Sequence, residues 1–121
     1  MNAESLRAGL KAKRENATYL SELFESLIGF TPSHAQCMVW LNRFPVEICS
    51  AAIERTAEWL LEYQQTMNEN STVTDKETGE TVELVDKTET DILKYASGTM
   101  YYMHAKMTGV PYVKRADRVK A

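Results

Sequence analysis

The sequence predicts an all-α domain of four to five helices, with one small β-hairpin inserted before the last helix. Three observations carry that expectation. Apolar residues recur at the three- and four-residue spacing of amphipathic helices on both sides of a polar region, 68–90. That region alone turns to β-branched runs around a glycine. Prolines and glycines punctuate the chain where helices would begin or end. At 121 residues, 44% hydrophobic and 26% charged, the chain has the size and mixture of one domain that buries a single core without staples. Residues 1–121 are therefore read as one unit, with 68–90 as the insertion and 110–121 as a basic tail.

The first segments, ESLRAGLKAKRE (4–15) and ATYLSELFESLIGF (17–30), read as two consecutive helices or one interrupted near Asn16. Leu20, Leu23, Phe24, Leu27 and Ile28 form the expected core face. Gly29 stands where that helix would stop, and Thr31 and Pro32 supply an N-cap and first residue for a helix over 32–43. Ala35, Cys37, Met38, Val39, Trp40 and Leu41 cover most of its circumference, so it is expected to be the buried hub.

Pro45 ends that helix and opens the next, 45–67, because proline disfavours helix in the residue before it and suits a first turn. Cys49, Ala52, Ile53, Thr56, Leu60 and Tyr63 share one face of it; Glu47, Glu54, Glu58 and Glu62 share the other. Glutamates on a hydrophilic face are read as solvated, or as facing a basic partner, before they are read as an acid–base pair. Within STVTDKETGETVELVD (71–86), Gly79 marks the turn of the hairpin.

The last helix is expected over 91–107, capped by Thr88 or Thr90, with Glu89 and Asp91 favourable at its positive end and Gly109 and Pro111 closing it. Ile92, Leu93, Ala96, Met100, Met103 and Met107 form its core stripe. Tyr95, Tyr102 and Lys106 lie along one edge, while Tyr101 and Lys94 project to the opposite, wetter side. Gly98 interrupts the helix interior, which close approach of a backbone or a ligand would explain.

Several function classes lose support. No phosphate-binding glycine loop, dinucleotide turn, HExxH helix or nucleophile elbow occurs. No apolar run reaches the ~18 residues of a membrane span, and the N-terminus lacks the apolar centre of a signal peptide. These features imply a cytoplasmic protein. Cys37 and Cys49 have neither redox-pair nor disulfide-framework spacing and read as buried thiols. Two alternatives stay open on them: zinc held by His34, Cys37, Cys49 and His104, and a thiol nucleophile beside a histidine.

The net charge of −3 hides a segregation: residues 47–91 sum to −9 and residues 92–121 to +5. Cations interleaved with aromatic rings are what sequence-tolerant single-strand binding uses. The candidate nucleic-acid contacts are therefore Lys94, Tyr95, Tyr102 and Lys106 on the last helix and Lys114, Arg115, Arg118 and Lys120 in the tail. The plainer reading places Tyr95 and Tyr102 at the core edge with their hydroxyls in water.

In YLSELFESLIGFTPSHAQCMVWLNRFPVEICSAAIERTAEWL (19–60), an aromatic-led helix precedes a Thr-Pro turn, a helix with an apolar tryptophan block, and a Pro-Val-Glu start to an Ala-Ile-rich helix. This order resembles the DnaD-like domain of primosomal proteins from Gram-positive bacteria and of replication proteins from their phages. The likeness spans about residues 19–66 and 91–107. The family's last helix carries a tyrosine, an aliphatic residue and a tryptophan at four-residue steps; the matching positions are Tyr95, Thr99 and Met103, so only the tyrosine is kept.

The resemblance implies an α-helical module used in DNA binding, self-assembly and helicase loading, with the last helix and tail in contact with nucleic acid. With no counterpart of the family's N-terminal winged-helix domain expected, the chain would be a free-standing domain of phage or mobile-element type, or a shortened relative. The expectation is a non-enzymatic accessory protein of DNA replication or remodelling. It would use no cofactor or metal and would not engage a membrane. Its partners would be single-stranded or duplex DNA, replisome proteins and further copies of itself. The rival expectation is an assembly adaptor in which the basic tail meets an acidic helix face, without nucleic acid.

Overall fold

The computed structural model describes residues 3–112. In chain order they form α1 (Ala3–Ile28), α2 (His34–Arg43), α3 (Val46–Glu69), β1 (Thr72–Thr74), β2 (Thr81–Glu83) and α4 (Glu89–Thr108). The architecture is all-α, four helices with a small antiparallel hairpin before the last. No helix among the described residues is long and apolar enough to cross a membrane.

α1 is continuous, and the break expected near Asn16 does not occur. Good helix formers flank that position, and Thr18 keeps its hydroxyl within the helix by donating to the Arg14 carbonyl at 3.1 Å. Ala17, Leu20 and Phe24 are its buried residues; Leu27, expected in the core, is 45% exposed. Gly29, at φ +103°, ends the helix as anticipated.

α2 starts later than the sequence suggested. Ser33, not Thr31, is the N-cap, its Oγ accepting the Gln36 N–H at 3.1 Å, while the Thr31 hydroxyl donates to Glu25 Oε2 at 2.9 Å. Pro32 lies ahead of the cap and is buried. Nor is α2 the hub, because only Cys37 and Trp40 are buried on it and Ala35 and Val39 are exposed.

The hub is α3. Ile48, Cys49, Ala52, Ile53 and Thr56 are buried on one face, and the helix packs against both α1 and α4. The Thr56 hydroxyl donates to the Ala52 carbonyl at 2.7 Å, so its burial leaves no polar group unsatisfied. Pro45 is the N-cap rather than the first helical residue. Glu47, Glu54, Glu58 and Glu62 are exposed on the far face.

The hairpin pairs Thr72 with Glu83, Val73 with Val82 and Thr74 with Thr81, and every strand residue is exposed. Its turn uses Gly79 at φ +74°. The return segment is tied to the bundle where the Tyr63 hydroxyl donates to the Val85 carbonyl at 2.7 Å.

α4 opens on a capping box between Thr88 and Asp91 and closes on Gly109 at φ +77°. Ile92, Ala96, Thr99 and Met100 are buried, and Met103 is half-buried. Met107 is 51% exposed and does not join the core. Nor does Tyr101 face the wetter side: it packs edge-on against Phe44, centroids 4.9 Å apart, because the α2–α3 joint supplies a ring that helix projection alone does not reveal. Trp40 locks the bundle together. Its ring stacks on Phe24 of α1 at 6.1 Å, and its Nε1–H donates to Ser97 Oγ of α4 at 2.9 Å.

Candidate functional site

The seam between α3 and α4 opens on one side into a groove of about 730 Å³. Its walls follow from helical spacing. Trp59 lies one turn beyond the buried Thr56, at the edge of the α3 core face, and Arg55 precedes Trp59 by four residues on that same edge. On α4, Asp91, Tyr95, Gly98 and Tyr102 recur at three- and four-residue steps, with the buried Thr99 beneath them.

Ring contacts organise the groove. Trp59 and Tyr95 stack nearly parallel, at 6° with centroids 3.9 Å apart, joining the two helices at their exposed edge. Farther along α4, Tyr102 is 39% exposed and meets Tyr112, from the segment after the helix, edge-on at 6.2 Å. Four rings thus line a concave surface.

Cations surround them. The Arg55 guanidinium lies 5.2 Å from the Tyr102 centroid and Lys106 Nζ 6.0 Å from it. Lys87, carried in by the hairpin's return segment, places Nζ 4.5 Å from the Tyr63 ring and 5.8 Å from Trp59. Lys94 completes the lining. The one carboxylate of the lining, Asp91, is engaged elsewhere: it accepts the Thr88 N–H at 3.3 Å while its own N–H is capped by the Thr88 hydroxyl. Hydrogen bonding to Thr88, followed by the nearby Lys87 and Lys94, holds its carboxyl below the usual range. Glu58 and Glu62 stand on the outer α3 rim, beside Arg55, Trp59 and Tyr95.

Of the residues singled out in the sequence, Lys94, Tyr95 and Tyr102 come together in this groove and Lys106 borders it. Lys114, Arg115, Arg118 and Lys120 lie outside the described residues. Sequence reasoning missed Arg55, Trp59, Lys87 and Tyr112. The Arg55–Trp59 spacing at the rim of the α3 core face was a readable signal; Lys87 and Tyr112 sit in non-helical segments, where periodicity gives none.

The zinc alternative is not assembled. His34 is exposed on α2, and His104 packs on Phe44 at 5.5 Å. Among the described residues no group of three or more His, Cys, Asp or Glu side chains could hold a metal ion. Burial pushes the Cys37 thiol up to about 11 and Cys49, buried beside it, up to about 12. Both are protonated at neutral pH, the opposite of an activated nucleophile. Compared with protein-family models, curated proteins and solved structures, the chain matches none.

Proposed function

We propose that this chain is a non-enzymatic, DnaD-like accessory protein of DNA replication or remodelling that holds DNA in the groove between α3 and α4. The observation that carries the reading is the convergence of Trp59, Tyr95, Tyr102 and Tyr112 with Arg55, Lys87 and Lys94 on one concave surface. Rings offer faces to bases of any identity, and cations track the phosphates, the combination by which proteins hold nucleic acid without reading its sequence. The basic residues Lys114, Arg115, Arg118 and Lys120 follow in the chain and extend the same charge.

Fluorescence anisotropy of labelled DNA against the purified protein tests this. Binding at low salt should weaken by about 1–3 kcal/mol on Trp59→Ala, the value of one stacking platform, measured below the variant's own melting temperature because the half-buried ring also packs against the core and on Tyr95 and Tyr63. Absence of binding to any DNA form at low salt would sink the proposal. The second reading, an adaptor, is favoured by the exposed stripe Glu47, Glu54, Glu58 and Glu62 along α3. It requires that a basic partner be captured through that stripe and that charge reversal there abolish the capture.

A further inference from the structure

Gly98 lies in the interior of a 20-residue helix, where glycine weakens the helix relative to alanine. Neither usual justification applies. Its backbone is not in the left-handed region, and a Cβ built on it would meet nothing within 4 Å. Close approach of another element is therefore not what glycine serves here. What its missing side chain does leave is a gap in the outer surface of α4, and two cavities meet at that gap. Gly98 and Lys94 line the aromatic groove on one side. The same two residues line a second groove of about 280 Å³ on the other side, with Gln36 from α2 and Thr90, Ser97 and Tyr101 from α4.

We propose that Gly98 is a saddle over which one unpaired DNA strand crosses α4, passing from the aromatic groove into the second groove beside Gln36. This rests on the nucleic-acid reading above and specifies the form of nucleic acid and its path. The strand must be unpaired, because ring faces on a groove wall serve only bases whose own faces are not already stacked inside a duplex. Lys94, one turn before the saddle and shared by both grooves, is placed to meet a phosphate at the crossing. Beyond it, the Gln36 amide offers both a donor and acceptors to a base edge.

Anisotropy titrations of the full chain with oligo-dT of about 4 and about 16 nucleotides, the span of site sizes seen in single-strand binding folds, test the path. The longer strand should bind more tightly. Gln36→Glu, which sets a negative charge in the second groove, should weaken the longer strand about fivefold, the size of one close charge contact in water, and leave the shorter one unchanged. Gly98→Leu should remove the advantage of the longer strand, and Gln36→Glu added to it should then cost nothing further, since the strand no longer reaches Gln36. Both variants should melt at or near the parent temperature, because leucine improves the helix and its Cβ meets nothing within 4 Å, and a glutamate at position 36 suits the first turn of α2 after the Ser33 cap. If Gln36→Glu weakens the longer strand equally with and without Gly98→Leu, or not at all, the saddle is overturned while the aromatic groove stands. If neither strand binds at low salt, the nucleic-acid reading fails with it.

Discussion

Trp40 and Trp59 put one kind of side chain to opposite uses. Trp40 is 1% exposed, stacked on Phe24, with its indole N–H satisfied by Ser97. Trp40→Ala should cost about 3–5 kcal/mol in urea unfolding, through lost transfer energy and a cavity that the bundle cannot fully close. Ser97→Ala should cost about 1–3 kcal/mol, because it leaves a buried donor without a partner. A loss near zero on Ser97→Ala would show that the indole finds another acceptor. Trp59 is instead half-buried at the edge of the core, stacked on Tyr95 and Tyr63, so its removal should cost less stability than that of Trp40. Sequence could separate these two only in part. Trp40 stood within an apolar block and Trp59 beside a glutamate, but the ring that gives Trp59 its role, Tyr95, lies thirty-six residues away.

Among the elements, α4 is the one whose ends were most legible and whose faces were least. Gly109 closes the helix as its sequence position suggests, and of the two candidate caps, Thr88 and Thr90, the structure uses Thr88 and gives Asp91 the reciprocal half of a capping box. Thr88→Ala should cost about 0.5–2 kcal/mol. The capping carboxylate also makes a pH prediction. The folded-state pKa of Asp91 is lowered, so its contribution is fully present above the ordinary carboxylate value of about 3.9 and is lost as pH falls through the lowered folded value. Thr88→Ala removes the hydroxyl's share of that lowering and keeps the backbone N–H that the carboxylate accepts. Its deficit against the parent in thermal melts should therefore be constant near neutrality and shrink in acid; a deficit that stays constant down to pH 2 would assign the effect to the hydroxyl cap alone. Along α1, by contrast, Asn16 suggested a break because its local propensity is weak, and propensity of a few tenths of a kcal/mol yields to packing of Ala17 and Leu20 just after it. The second helix was misjudged for a related reason. Apolar composition all round suggested burial, yet a ten-residue helix at the edge of the bundle covers only the Cys37–Trp40 side.

At the scale of the whole molecule, the groove draws on α3, the hairpin's return segment, α4 and the segment after it, four regions that only the fold unites. The sequence displayed the α4 contribution because Lys94, Tyr95, Tyr102 and Lys106 share one short helical stretch; it concealed Arg55, Lys87 and Tyr112 because no local period links them to that stretch. The combined site separates two physical contributions that can be measured independently. A phosphate contact releases counterions, so each one in single-stranded binding steepens the plot of log affinity against log salt by about −0.7; a stacked ring releases none. Four groove cations, Arg55, Lys87, Lys94 and Lys106, therefore set a slope of about −3 when each meets a phosphate. Replacing Lys114, Arg115, Arg118 and Lys120 with glutamine should bring the parent's steeper slope down to that value. Trp59→Ala should lower affinity at every salt concentration and leave the slope unchanged. A slope that flattens on Trp59→Ala would mean that the ring orders the cations, through Lys87 at 5.8 Å, rather than holding a base.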